Sequence, residues 1–261
     1  MTPILTTDKL TIHFGGLAAV QDLDISVPEG EIFGLIGPNG SGKSTVLNMI
    51  TGLYKPTGGK IYFQGEEITG MKSHKIVQKG ICRTFQNIRL FNDLTVMENV
   101  LIGRHCRLPG RAIHDVFGVK SKKKIEREAE EKALEYLEMF GILEYKDFIA
   151  KNLPYGPKRE VEIVRALSTE PKLLLLDEPA AGMNGEETQK LVNLIHRIRE
   201  KGVTVILVEH NVKMVMGICD TIVVLESGEK IAEGVPEVVR NDPRVIEAYL
   251  GHDEEEEGGE S

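Results

Sequence analysis

The chain has 261 residues, of which 41% are hydrophobic, and this is enough to bury a substantial core in one large domain or in a domain with a subdomain. The same composition excludes a disordered or fibrous protein. The formal net charge of −8 argues against a nucleic-acid partner, because nucleic-acid-binding proteins normally carry a basic face.

The cysteines and the apolar runs bear on where such a chain works. Cys82, Cys106 and Cys219 form no CxxC pair, so we expect neither a zinc site nor a disulfide framework, and a reducing cytoplasm fits best. No apolar run approaches the roughly 20 residues that span a bilayer, and the N-terminus carries no secretory signal. We therefore expect any membrane contact to go through a partner.

The N-terminal part of the chain predicts antiparallel strands. Residues Ile4–Val27 alternate loosely between apolar and polar side chains and end at the turn sequence Pro28–Gly30. A second apolar patch, Lys60–Phe63, lies between glycines. We predict an antiparallel β subdomain over residues 4–30 and 57–70.

A different pattern lies between and after these strands. Ile32–Ile36 is a short apolar run typical of a strand buried on both faces, and Val46–Ile50 follows a glycine-rich turn at helical spacing. From about Asn87 to Arg165 the chain is charged, and Glu126–Phe140 has apolar residues at helical intervals. This predicts a mostly helical subdomain over about 87–165.

The C-terminal part returns to buried strands separated by a helix. The apolar runs Leu173–Leu176 and Val203–Val208 flank the helical segment Thr188–Glu200. Strands that alternate with helices imply a parallel sheet, so we predict a nucleotide-binding core over 31–56 and 166–252. The acidic residues at 253–261 have nothing to bury and predict a disordered tail.

The glycine-rich turn matches the phosphate-binding pattern G-x-x-x-x-G-K-[ST] between a strand and a helix, which is the context that this pattern requires. Its glycines let backbone N–H groups converge on phosphates, and the helix adds its positive end. Lys43 is predicted to reach the β- and γ-phosphates, and Ser44 to bind Mg²⁺ beside Thr45. The ATP-binding residues predicted here are Gly37, Pro38, Asn39, Gly40, Ser41, Gly42, Lys43, Ser44 and Thr45.

Acidic and imidazole side chains follow the next buried strands. Asp177 comes directly after Leu173–Leu176 and is a candidate Mg²⁺ ligand, and Glu178 beside it is a candidate general base for the attacking water. His210 follows the Val203–Val208 strand and is expected at the same edge of the sheet, oriented towards water and phosphate. The alternatives are a strand-end turn for the two acids and a structural role for the histidine.

Taken together, these residues resemble the ATP-binding cassette (ABC) family from about Leu10 to Leu250. The resemblance implies an α/β fold, a P-loop NTPase with a RecA-like parallel-sheet core, an antiparallel β subdomain and an inserted α-helical subdomain, in a single ATPase domain over 1–252. Phe14 is in the position of an aromatic residue that stacks on adenine. Gln86 is in the position of a glutamine that contacts Mg²⁺ and the attacking water.

Several segments resemble more closely the importer cassettes for branched-chain and other hydrophobic amino acids. These segments are Phe14–Leu17, Arg83–Gln86, Asp177–Asn184 and Val208–His210. The stretch Arg104–Glu131 resembles the larger ATPase of the pair in those importers, and Gln86–Asn99 is the expected coupling surface. The resemblance implies two permease subunits, a second ABC ATPase in a heterodimer or else a homodimer, an external binding protein, and a location at the cytoplasmic face of the membrane.

One loop departs from the family pattern. The signature loop of the family, commonly Leu-Ser-Tyr-Gly-Gln in this branch, reads here Leu153, Pro154, Tyr155, Gly156 and Pro157. Proline has neither the hydroxyl nor the N–H that serine offers to the γ-phosphate of the facing subunit, a loss on the order of 1.5–3 kcal/mol. Asymmetric ATP sites are one hypothesis. The alternative is that the loop keeps its shape and the helix with Lys158 and Arg159 still serves phosphate.

Two other functions compete with transport. A soluble ABC ATPase that acts on ribosomes or nucleic acid usually has two cassettes or a long coiled coil, and this chain shows one cassette and no sustained heptads. A small-molecule kinase would leave Glu178, Gln86 and His210 without roles. We therefore expect a transport ATPase.

Overall fold

The computed structural model describes residues 2–104 and 111–249, with only the backbone over 111–124. Their contacts form two compact units, Met1–Ile76 with Leu175–Ser261, and Val77–Leu174. Cys106, the side chains of the Lys120–Lys124 run and the predicted acidic tail lie outside the described residues.

The elements alternate between strands and helices along most of the chain. In chain order they are β1 (Pro3–Phe14), β2 (Leu17–Leu23), β3 (Ser26–Pro28), β4 (Ile32–Ile36), α1 (Lys43–Ile50), β5 (Gly58–Phe63), β6 (Glu66–Glu67), α2 (Ser73–Lys79), β7 (Ile81–Arg83), α3 (Val96–Arg104), α4 (Arg111–Met139), the 3₁₀ turns Leu143–Tyr145 and Ala150–Asn152, α5 (Tyr155–Leu167), β8 (Leu173–Asp177), α6 (Gly185–Glu200), β9 (Thr204–Val208), α7 (Val212–Ile218), β10 (Thr221–Glu226), β11 (Glu229–Gly234) and α8 (Pro236–Arg240).

The antiparallel sheet of the first unit has the order β2-β1-β5-β6, with β3 also paired to β1. Leu5 of β1 pairs with Phe63 of β5, and both side chains are buried. The strand β1 buries Leu10 and Ile12 as well, while Asp8 and Lys9 between the buried positions stay exposed. This partial alternation is what lets one face of an antiparallel sheet cover a core, and it confirms the predicted antiparallel part of the fold.

The second sheet of this unit runs in the order β11-β10-β4-β9-β8, and the first two residues of β8 fall in the other unit. The strand β4 pairs in parallel with both β9 and β10, whereas β11 is antiparallel to β10. Every residue of β4, β8 and β9 is buried, as expected for parallel strands covered on both faces. The α/β fold with a parallel core is therefore confirmed, and its strand ends lead directly into Gly37, Glu178 and Glu209.

The second unit is mainly helical, with α3, α4 and α5 in mutual contact. The helix α4 begins at Arg111, although the apolar spacing predicted a helix only from Glu126. Ile113, Val116 and Phe117 do have helical spacing, but Gly118 and the lysine-rich run Lys120–Lys124 separate them from the apolar residues after Glu126, so the spacing does not read as one continuous helix. At the edge of this unit, the Gly80 carbonyl accepts hydrogen bonds from the N–H groups of Lys172 (2.8 Å) and Leu173 (3.1 Å).

The length and hydropathy of the helices bear on whether any of them could cross a membrane. Within residues 2–104 and 111–249, no helix has both the length and the apolar content that crossing a bilayer requires. The 29 residues of α4 are long enough, but their mean hydropathy is negative.

The helix α6 has a complete capping box at its start. The Asn184 side chain accepts hydrogen bonds from the N–H groups of Glu186 (2.9 Å) and Glu187 (3.0 Å), and the Glu187 carboxylate accepts one from the Asn184 N–H (2.9 Å). These bonds satisfy N–H groups that have no partner within the helix.

We expect Asn184→Ala to lower the free energy of unfolding by about 1 kcal/mol, because the cap is lost. Urea unfolding followed by circular dichroism measures this. Asn193→Ala is the matched control, since it removes the same amide from the exposed middle of α6 and introduces a better helix former. Equal destabilisation by both substitutions would contradict the role of the cap.

Candidate functional site

The loop after β4 has the geometry of an anion site. Gly42 caps α1 in a left-handed conformation with φ 101°, no side chain caps the helix, and no acidic residue lies in its first turn. The first N–H groups of α1 and its positive end therefore face the loop. Gly37 is sterically required as well, since a Cβ atom there would lie 2.0 Å from the Leu225 carbonyl oxygen.

Lys43 closes over this loop from the first residue of α1. Its Nζ atom donates to the carbonyl oxygens of Gly37 and Pro38, both at 2.7 Å, and its side chain is almost completely buried. Burial lowers the pKa of Lys43, and the nearby carboxylates of Glu178 and Asp177 oppose this shift. A cation is thus held at the centre of the loop, close to two carboxylates.

Glu178 and His210 meet at the carboxyl ends of β8 and β9. The Glu178 N–H donates to the Val208 carbonyl oxygen at 2.8 Å, which aligns the two strand ends. Nε2 of His210 lies 2.7 Å from Oε1 of Glu178. An ionised carboxylate only accepts hydrogen bonds, so this contact places the imidazole proton on Nε2.

The backbone of Glu178 is in the left-handed region, with φ 47°. For a residue with a side chain this conformation costs about 1–3 kcal/mol and persists only where neighbouring contacts enforce it. Here the hydrogen bonds to Val208 and His210 hold the residue at both its backbone and its side chain. The carboxylate is thereby fixed, although its side chain is still 11% exposed.

The donor set fits a magnesium ion that is bound together with phosphates. Ser44 is exposed at the start of α1, and Asp177 is a buried carboxylate close enough to Lys43 to influence its pKa. In the described part of the chain, no cluster of three or more His, Cys, Asp or Glu residues is arranged to hold a metal. Mg²⁺ bound with a nucleotide needs only one or two protein oxygens, so a hydroxyl and one carboxylate suit it.

Phe14 ends β1 with its ring 47% exposed. One edge contact orients the ring, because the Tyr54 ring meets it edge-on, at an interplanar angle of 75° and with 5.3 Å between centroids. A half-exposed aromatic ring that a neighbour already holds is a suitable surface for stacking an adenine base.

Two residues near the site, the buried Glu209 and the half-buried Tyr249, were assigned no role from the sequence. Glu209 is 3% exposed, and its carboxylate accepts hydrogen bonds from the N–H groups of Ala180 (2.6 Å) and His210 (3.2 Å). Burial raises the pKa of Glu209, while these N–H groups lower it. Burial also raises the pKa of Tyr249, near Gly37, to about 12. For Glu209, the available signal was an acid directly after a fully buried strand.

Gln86 and the loop over 153–157 both belong to the second unit. Gln86 is exposed, while its backbone carbonyl oxygen accepts a hydrogen bond from Nη2 of Arg159 at 2.6 Å. In the loop, Leu153 is buried, Pro154 and Tyr155 are exposed, and Gly156 and Pro157 are half-buried.

The helix α5 begins at Tyr155 in spite of the two prolines. Pro154 is the N-cap and Pro157 is in the first turn, positions where a helix has no internal partner for an N–H group. The alternative in which the start of this helix serves phosphate stays a prediction, but the Arg159 side chain does not take part in it, because it is completely buried and donates to carbonyl groups within the unit. Lys158 donates to the Lys151 carbonyl oxygen at 2.9 Å.

Comparison with known proteins connects these features to a family. Residues 20–181 match the ABC transporter family, and residues 229–255 match the family of branched-chain amino acid ATP-binding cassette transporters. The chain is 47% identical to the high-affinity branched-chain amino acid transport ATP-binding protein BraF of Pseudomonas aeruginosa, over 95% of this chain and 98% of that protein. It is 44% identical to the corresponding protein LivG of Escherichia coli K12, with the same coverage.

Solved structures agree with the sequence comparisons. An ATP-binding cassette of an ABC transporter in its ADP conformation superposes with a TM-score of 0.84 at 34% identity, covering 96% of this chain and all of that one. A nucleotide-free ATP-binding cassette superposes with a TM-score of 0.83 at 35% identity, covering 95% and 98%. With its phosphate loop, strand-end acids and histidine in one unit, this chain belongs to the ABC transporter family as an ATP-binding cassette.

Proposed function

We propose that this chain is the ATP-hydrolysing subunit of an importer for branched-chain or other hydrophobic amino acids. The match of residues 229–255 to a branched-chain amino acid cassette family carries the substrate class, because those residues lie outside the segment that matches ABC transporters in general. The similarity to BraF and LivG over nearly their whole length supports the same assignment.

In this proposal the loop over 37–45 binds the triphosphate. Its backbone N–H groups surround the phosphates, and Lys43 exchanges the Gly37 and Pro38 carbonyls for β- and γ-phosphate oxygens. Ser44 and Asp177 would hold Mg²⁺, with Gln86 as a further contact that the family resemblance assigns. When bound, Mg²⁺ neutralises the charge that develops on the phosphate oxygens.

Glu178 accepts the proton of the attacking water in this mechanism. The carboxylate is held by His210, so little reorganisation is needed when the water arrives. His210 keeps the carboxylate oriented through Nε2, and its half-exposed ring is accessible to the γ-phosphate. The Glu209 carboxylate accepts hydrogen bonds from the N–H groups of Ala180 and His210, and it thereby holds the backbone that follows Glu178 and the backbone of His210.

The partners follow from the same assignment. We propose a pair of permease subunits, a second ABC ATPase in a heterodimer rather than a homodimer, and an external binding protein, with this chain on the cytoplasmic face of the membrane. The coupling surface is the segment Gln86–Asn99, which exposes half of the Phe91 side chain. An exposed aromatic ring of this kind is suited to an apolar partner surface.

The proline in the signature loop makes the two ATP sites unequal in this proposal. Because Pro154 is exposed and has neither a hydroxyl nor an N–H group, the site that it completes on the partner loses donors to phosphate. The ATP bound by Lys43 and Glu178 is then the competent one.

The adenine assignment is tested with Phe14→Ala. We expect ATP binding, measured by titration calorimetry, to weaken by about 1 kcal/mol, because ring stacking is lost. Phe14→Tyr should bind like the parent chain, and Leu17→Ala controls for the loss of a neighbouring exposed apolar side chain. Unchanged affinity in Phe14→Ala would contradict stacking.

The catalytic assignment is tested with Glu178→Gln in the two-cassette assembly. Turnover should fall by roughly 100-fold or more, because the general base is lost, and ATP should accumulate in a stable dimer. Glu186→Gln, on an exposed glutamate of α6, is the matched control. If replacing the equivalent glutamate of the partner cassette slows hydrolysis by the same factor, the proposed asymmetry is wrong.

The transport function is tested by reconstitution in liposomes with both permease subunits, the second cassette and the binding protein. Leucine, isoleucine or valine uptake should require ATP inside the liposomes and should be lost in Lys43→Ala, which lacks the ammonium group for phosphate. Lys213→Ala, which changes an exposed lysine, should keep full uptake. ATP hydrolysis without uptake of any hydrophobic amino acid would contradict this function.

A further inference from the structure

The most unusual buried side chain of the second unit is Arg159. It is 0% exposed and is the largest of the fully buried side chains in the described part of the chain. Arginine is rarely fully buried unless its charge is paired. Its surroundings therefore indicate what the residue does.

The Arg159 guanidinium joins the start of α5 to the segment that carries Gln86. Nη1 donates to the Phe85 carbonyl oxygen at 2.7 Å, and Nη2 donates to that of Gln86 at 2.6 Å. Nη2 also donates to the Tyr155 hydroxyl at 3.3 Å, within the signature loop. Two neighbouring carbonyl groups on one planar guanidinium define both the position and the orientation of that segment.

Glu162, one helical turn further along α5, completes the arrangement. Its Oε2 atom accepts a hydrogen bond from Nη1 of Arg159 at 2.9 Å, and its Oε1 atom accepts one from the Arg89 N–H at 3.0 Å. Burial raises the pKa of Glu162, and the Arg89 N–H and the two arginines Arg159 and Arg165 lower it. The segment 85–89 is thus held at both ends by one buried ion pair.

A second layer of contacts covers the same segment. The guanidinium groups of Arg83 and Arg89 lie over the Phe85 ring at 5.1 and 4.6 Å from its centroid. Well-packed apolar side chains would stabilise such a core at least as well as a buried ion pair. The directional bonds to Phe85, Gln86 and Arg89 therefore point to a requirement for a defined position rather than for stability alone.

We propose that Arg159, paired with Glu162, is a positioning residue that links Gln86 to the signature loop. The proposal rests on the function proposed above, in which Gln86 serves the ATP of this chain and the loop over 153–157 serves the ATP of the partner. A rigid link between them makes any displacement of Gln86 also a displacement of the loop. Through this link the state of one ATP site is communicated to the other.

The test compares Arg159→Lys with Arg165→Lys in the reconstituted transporter. Lysine keeps the charge, but it cannot bind two carbonyl groups in one plane. We expect Arg159→Lys to lower kcat about tenfold or more, to leave the KM for ATP within twofold, and to reduce the Hill coefficient towards 1. Arg165→Lys is the matched control, because Arg165 is on the same helix and is 4.0 Å from the same Glu162, without contacts to the two carbonyls.

A double-mutant cycle separates positioning from a general loss of stability. If Arg159 acts through Gln86, Arg159→Lys should have little further effect on kcat in a Gln86→Ala background. Additive losses of kcat, or an unchanged Hill coefficient in Arg159→Lys, would overturn the proposal. An inactive parent transporter would instead contradict the proposed function.

Hydrogen exchange of the purified chain provides a readout that does not depend on activity. Glu162→Gln keeps an oxygen acceptor but loses the charge, so we expect faster exchange at residues 85–89 and unchanged exchange at residues 37–45. If Glu162→Gln accelerates exchange equally in both segments, the ion pair only stabilises the protein and the link is disproved.

Discussion

The parallel pairing of β4 with its neighbours is the constraint on which the nucleotide site depends. Parallel strands end at one edge of a sheet, so residues that are far apart in sequence meet there. This edge brings the loop after β4 together with Glu178 after β8 and His210 after β9. Because these strands are buried on both faces, a shift of one residue in register would move every side chain to the opposite face of a closely packed core and is disfavoured.

Two features that fix the geometry at this edge are unfavourable in free energy. Glu178 adopts a left-handed backbone, and Glu209 is a buried acid close to it, which raises the pKa of Glu209 further. Both features are unfavourable by themselves. The hydrogen bond from the Glu178 N–H to the Val208 carbonyl oxygen offsets the first, and those from the Ala180 and His210 N–H groups to the Glu209 carboxylate offset the second. The result is a carboxylate with a fixed direction, as general base catalysis requires.

The second unit obtains a fixed geometry in a different way. The loop around Gln86 follows β7 and lies outside the strands, and the hydrogen bonds of Arg159 and Glu162 hold it. A buried ion pair adds little net stability, but breaking it leaves a charge without a partner. Such a pair therefore penalises alternative positions of the loop more than it favours the fold.

The sequence by itself determined the phosphate loop, the buried strands and the candidate acids. These depend on local patterns: a glycine-lysine spacing, an apolar run of the length of a strand, and an acid at the end of such a run. The strand β4 ends where the apolar run ends, at Ile36, and α1 starts at the predicted lysine. The boundaries of the subdomains and the roles of Phe14, Gln86 and the loop over 153–157 remain predictions.

Only the tertiary structure decided which side chains meet. Nothing local in the sequence distinguishes Arg159, which is buried, from Lys158 beside it, because both are long cations at the start of a helix. For Glu209, the position after a buried strand was a local signal, but its partners Ala180 and His210 lie on separate loops that only the fold brings together. Burial and hydrogen bonding of polar side chains depend on what the rest of the chain places around them, and a sequence pattern does not contain that information.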